Sequence, residues 1–124
     1  MKIEDFFNQQ NVIELSFFNF ENAITAAYFA RENLEIVRVN DNFRKFFPVL
    51  GNVSNAYFPD VLVQLGVSVE QVEQFVRDIN EKGWVLIPKV PINMDGKEKI
   101  YSLLSTRTRN DSFSYLNGVQ GQFV

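Results

Sequence analysis

Phe29-Ala30-Arg31-Glu32-Asn33-Leu34-Glu35-Ile36-Val37-Arg38-Val39-Asn40-Asp41-Asn42-Phe43 is the stretch that decides the fold. The residues before it, Ile24 to Ala30, and the run Leu34 to Val39 read as two strands joined by a tight turn at Glu32-Asn33. Asn40 and Asp41 then have the chemistry of helix caps. A short carboxamide or carboxylate can accept from an N–H of the first turn that has no partner inside the helix. The helix that follows runs from Asp41 to Phe47, with Phe43, Phe46 and Phe47 on one side, and Pro48 stops it.

Downstream the punctuation is equally clear. A second short helix is expected from Pro59 to Leu65, with proline in its first turn and Gly66 past its end. The strongest helix follows, over 69–82. Ser68 is its N-cap and Gln71 the capping-box partner, Val72, Phe75, Val76 and Ile79 form one apolar stripe, and Gly83 closes it. From Trp84 the period becomes that of a strand, with Trp84, Leu86, Pro88, Val90 and Ile92 expected on one face. Asp95-Gly96 is a hairpin turn, Ile100 to Thr108 the return strand, Asn110-Asp111 another turn, and Phe113 to Val124 the last strand. Pro88 and Pro91 cannot donate to a ladder, so the strand that carries them belongs at a sheet edge.

The strand–turn–strand step into an asparagine-capped helix resembles the opening of a PAS domain, with its "Asn-x-x-Phe"-like step at Asn40 to Phe43. The likeness covers roughly residues 17–124. The resemblance implies an α+β fold: a five-stranded antiparallel sheet of order 2-1-5-4-3 with short helices on one face, preceded here by an N-terminal helix. The expected division is an N-terminal helical extension over residues 1–20 and a PAS-like domain over 21–124. In that strand order the third strand is an edge, where the two prolines independently place it. Tyr115 to Val124 resembles the last PAS strand, and the chain stops before the step that leads into a signalling helix in many relatives. A fragment of a longer signalling protein is therefore expected, with its output domain (a cyclase, kinase, diguanylate cyclase or transcription factor) on the same polypeptide.

Composition removes several functions. The 124 residues are 46% hydrophobic and 22% charged, the balance of a folded globule. Twelve basic against fifteen acidic residues leave a net charge of −3, which gives nucleic acid no electrostatic grip. No apolar run approaches the ~18 residues of a membrane span, so no membrane contact is expected from this segment. Cysteine and histidine are both absent. That excludes a cysteine-linked flavin, a thiolate metal site and a histidine-ligated haem, and it removes the commonest transition-metal ligand; no metal site is expected. A non-covalent flavin or an organic metabolite stays open, and a reducing, cytoplasmic setting is the simplest reading.

Candidate chemistry sorts into bland and informative. Glu70 and Glu73, with Asp78 and Glu81, read as a solvated helix face. Arg107 and Arg109, with Lys97 and Lys99, make one strand basic, a pattern that exposed strands often show. Ser102, Ser105 and Thr106 have no histidine to activate them. Gly118 and Gly121 lie within a strand, where close packing or a bulge is the ordinary reason. An enzyme would need a buried acid such as Asp60 or Glu35. The aromatic set Tyr28, Phe43, Phe46, Phe58, Phe75, Tyr101 and Tyr115 either fills the core or lines a ligand pocket between helices and sheet. Asn40 and Ser68 are expected as helix caps. Ile3, Phe6 and Phe7 lie on a short amphipathic helix over residues 2–10. With Phe17 and Phe18 they are the candidates for a homodimer interface. The function that the PAS resemblance implies is a sensory and dimerising domain. A ligand-free interaction module and, further off, a small α+β enzyme are the alternatives.

Overall fold

A computed structural model describes residues 25–108 and 117–124. The N-terminal helix, the extension over residues 1–20, Tyr115 and the Asn110-Asp111 turn lie outside the described residues. So do Ile3, Phe6, Phe7, Phe17 and Phe18.

The element order is β1 (Ala26–Ala30), β2 (Ile36–Val39), α1 (Asp41–Phe46), a 3-10 turn (Pro48–Leu50), α2 (Phe58–Gln64), α3 (Val69–Lys82), β3 (Trp84–Met94), β4 (Lys97–Thr108) and β5 (Gly118–Phe123). The five strands form one sheet of order β2-β1-β5-β4-β3. Every ladder is antiparallel. This is the architecture expected above, with β3 and its two prolines at an edge. The other edge, β2, is covered by a loop: Ile36 N donates to Ala56 O at 2.8 Å and Asn55 N to Ile36 O at 2.8 Å. A covered edge cannot template pairing with another chain.

Local signals explain the elements. Asp95 (φ 53°) and Gly96 (φ 76°) both take left-handed backbone, as a two-residue hairpin turn requires. Gly83 ends α3 in the left-handed conformation, and its N–H reaches Asp78 O and Ile79 O. The β1–β2 turn holds a surprise: the left-handed residue is Leu34 (φ 71°), a buried side chain. Its carbonyl accepts from Phe58 N at 2.9 Å, so the turn is locked onto α2.

Three expectations are corrected. First, Trp84 and Leu86 do not face the core; each is 50% exposed, while Val85 and Ile87 are buried. The cause is a bulge. Ile87 sits opposite Leu103 but Val90 opposite Tyr101, so β3 carries one extra residue at Pro88-Lys89. An extra residue inverts the alternation, which is why Val90 and Ile92 do point inward. Second, the Gln71 side chain does not close a capping box. Ser68 Oγ accepts from Gln71 N at 3.3 Å, but Gln71 Nε2 donates to Lys89 O at 2.7 Å, tying α3 to the bulge. Third, Asp78 is not on a solvated face. Its side chain is only 14% exposed and lies 3.8 Å from Lys82 Nζ.

The core lies between the helices and one face of the sheet. Val61, Leu62 and Leu65, Phe75 and Ile79 are buried against Tyr28, Ile36, Val85, Ile92, Leu103 and Phe123. Burying side chains of this size contributes roughly 1.5–3 kcal/mol each before entropy is counted.

Candidate functional site

The inner face of the sheet is set by register. Ala26, Tyr28 and Ala30 of β1 stand opposite Phe123, Gly121 and Val119 of β5. Phe123 and Gly121 in turn stand opposite Leu103 and Ser105 of β4. Residues directly opposite on neighbouring strands share a face. Tyr28, Gly121 and Ser105 therefore form one row across three strands, under the helices.

Aromatic rings fill the space above this row. The Tyr28 and Phe58 rings stack with centroids 3.9 Å apart. Phe58 also meets Phe75 at 5.2 Å. Phe43 meets Phe47 edge-on at 5.1 Å, and Phe47 meets Phe123 at 5.0 Å. Phe46 and Tyr101 are half-buried and stack on each other at 5.7 Å, toward the rim. The helices and strands thus bring six of the seven aromatic candidates into one cluster; Tyr115 lies outside the described residues. Phe47 and Phe123 were missed as members. The alternation Val119, Gly121, Phe123 along β5 was the available signal.

Few polar groups enter this interior. Among the described residues the buried polar side chains are Asn40 and Ser105, beside the Tyr28 hydroxyl. Asn40 is engaged through both the oxygen and the nitrogen of its carboxamide. Its Oδ1 accepts from Phe43 N at 2.9 Å and from Ala27 N at 3.0 Å, and its Nδ2 donates to Thr25 O at 2.8 Å. The residue that caps α1 therefore also fastens α1 to the start of β1. Tyr28 Oη and Ser105 Oγ lie 2.6 Å apart, both fully buried. Burial pushes the Tyr28 phenol well above its ordinary pKa, although the hydrogen bond to Ser105 pulls the other way. Burial also raises Tyr101, at the rim.

The other candidates disperse. Asp60 is exposed and Glu35 half-buried at a β-bridge to Tyr57, so neither supplies a buried acid. Glu70, Glu73 and Glu81 are exposed, as are Lys97 and Lys99. Arg107 is half-buried and reaches Asn80 Oδ1 and Glu32 O at 3.4 and 3.5 Å, near the C-terminal end of α3. Arg109 lies outside the described residues. Among the described residues no three acidic side chains gather into a metal site. A separate open groove of about 460 Å³ runs between α2 and α3, lined by Pro59, Val63, Val72 and Val76.

Strand order, helix placement and the asparagine-capped first helix can be set beside known structures. The PAS domain of Bordetella pertussis BvgS superposes with a TM-score of 0.65 at 14% identity, covering 94% of this chain and 86% of that one. The chain has the PAS fold. A PAS domain from Colwellia psychrerythraea matches at TM-score 0.63 and 8% identity, over 91% of this chain and 95% of that chain. A third, from a LuxR-family transcriptional regulator of Burkholderia thailandensis, was solved in complex with ethanol. It matches at TM-score 0.56 and 14% identity, over 87% and 94% of the two chains. No family model and no curated protein matches the sequence. In a PAS fold, the Tyr28–Gly121–Ser105 row is the sheet floor beneath the helices. No helix among the described residues is long and apolar enough to cross a membrane.

Proposed function

We propose that this chain is a sensor and dimerisation domain of a cytoplasmic signal-transduction protein. It takes a small apolar or aromatic ligand between sheet and helices and passes the signal to an output domain on the same polypeptide. One observation carries the reading: a PAS-fold sheet backs an aromatic interior into which two buried hydroxyls are placed side by side. Mostly apolar walls with a few fixed polar groups are the make-up of small-molecule sites. Similar folds come from a two-component sensor histidine kinase and from the ethanol-bound regulator, which supports a signalling role. The domain itself is not a catalyst in this reading. The ligand is an organic metabolite or a non-covalent flavin, since no cysteine or histidine is available to hold flavin or haem covalently or axially.

A second reading, a ligand-free interaction module, is favoured by the directness of ring packing between Tyr28 and Phe58. Both readings include a homodimer formed through the N-terminal segment that carries Ile3, Phe6, Phe7, Phe17 and Phe18. Sedimentation of the full chain beside a chain starting at Asn19 tests that part. A dimer at tens of micromolar that becomes a monomer on truncation supports it. A monomeric full chain, or a truncated chain that dimerises equally well, removes the segment from the mechanism. An absorption spectrum tests the cue: a Soret band, or a flavin band that bleaches in light and recovers in the dark, contradicts the reading.

A further inference from the structure

The proton count at the buried hydroxyl pair does not close. Tyr28 and Ser105 bring two O–H groups, and the single contact between them uses one proton. Either oxygen is able to donate, and whichever does, the other hydroxyl retains a proton. Among the described residues neither group makes a second hydrogen bond, although Ser102, on the same strand, donates to Pro88 O at 2.9 Å. A buried donor without a partner is costly, and native interiors avoid it or use it.

We infer that the Tyr28–Ser105 pair is the polar anchor of the interior site, and that it selects a small planar compound carrying a carbonyl-type acceptor. This rests on the interior-ligand reading proposed above and adds the chemical class. The anchor donates and, among the described residues, no cation acts on the Tyr28 hydroxyl, so a neutral acceptor suits it better than a carboxylate. The face of Tyr28 is covered by the flat ring of Phe58, and Phe75 and Phe123 flank that ring, so the shape offered is that of a ring. Phe58 is the first residue of α2 and follows a loop that contains two left-handed residues, Gly51 and Asn55. The ring that a ligand replaces thus sits at the N-terminal end of a helix.

Saturation-transfer NMR and titration with two probes test the inference: acetophenone, which has the acceptor, and ethylbenzene, which lacks it. The full chain should bind acetophenone roughly five- to tenfold tighter, the worth of one hydrogen bond. Tyr28→Phe alone or Ser105→Ala alone should keep the preference, because one hydroxyl proton survives. The double variant Tyr28→Phe/Ser105→Ala should lose it while still binding ethylbenzene. Both replacements are nearly isosteric, and the variant's fold is checked by its unfolding transition. Equal binding of the two probes to the full chain, or a preference that persists in the double variant, overturns the anchor and leaves the interior site standing. Binding of neither probe overturns the anchor and counts against the interior site as well.

Discussion

The Tyr28 and Ser105 hydroxyls meet at 2.6 Å by spanning an intervening strand, and they do so over Gly121, the residue opposite both. The contact requires the middle strand to carry no side chain at that point. A Cβ on Gly121 would fall 2.1 Å from Ser105 Oγ, 2.5 Å from Tyr28 Cε1 and 2.9 Å from Leu104 O. Side chains can rotate away, but the Leu104 carbonyl belongs to the ladder and cannot. Gly121→Ala is therefore expected to cost about 1–3 kcal/mol or more through overpacking. Gly96, with open space at its Cβ position, gives the contrast: Gly96→Ala should cost about 1 kcal/mol, from backbone strain alone. Urea unfolding of the two variants measures the difference.

Removing one hydroxyl of the pair should hurt more than removing both. Tyr28→Phe leaves Ser105 Oγ buried without a partner, at a cost of about 1–3 kcal/mol. The double variant Tyr28→Phe/Ser105→Ala removes the orphan and should recover most of that loss. A double-mutant cycle from denaturant midpoints reads the coupling. Strict additivity of the two single changes would contradict the pairing.

Alkaline pH should weaken the fold through the same tyrosine. The Tyr28 phenol is held neutral by burial, with its pKa raised above the unfolded value of about 10. The unfolded chain thus loses this proton first. Its contribution is fully present below about pH 10 and declines above it, by at most about 1.4 kcal/mol per pH unit. A pH series of unfolding midpoints should fall less steeply above about pH 10 in Tyr28→Phe than in the parent chain.

Asn40→Ala removes three side-chain hydrogen bonds and leaves Ala27 N and Phe43 N without the oxygen they share. The expected cost is roughly 2–4 kcal/mol, more than a cap alone is worth. Ser68→Ala, by comparison, removes an exposed cap bond of 3.3 Å and should cost about 0.5–1 kcal/mol. Thermal unfolding of both variants would show whether the two caps differ in this way.

Phe75→Ala should cost about 3–5 kcal/mol, because a fully buried ring that packs on Phe58 is lost. An unchanged denaturant midpoint would mean that the α3 stripe is not core.

Much of this was legible in the residues. Asn40, the stripe on α3, the Asp95-Gly96 turn and the two prolines are local signals, and local physics decides them. The strand order came from the PAS resemblance, and the two prolines agree with it by placing β3 at an edge. The face of β3 was not legible. A bulge at Pro88-Lys89 inverts which of Trp84 and Val85 is inside, and period-2 counting cannot register one inserted residue. Gln71 has the spacing of a capping partner because that motif is local, whereas its amide is claimed by a carbonyl 18 residues away. The Tyr28–Ser105 pair was also invisible. It joins residues 77 positions apart, and only the ladder register through β5 brings them together. The aromatic members were visible as types, but which rings touch depends on packing.

Native mass spectrometry of the purified chain tests the sensor reading most directly. The account predicts a species heavier than the polypeptide by the mass of one small organic molecule per chain, released on denaturation. A chain that carries no added mass as purified, and gains none when offered small aromatic carbonyl compounds, would contradict it.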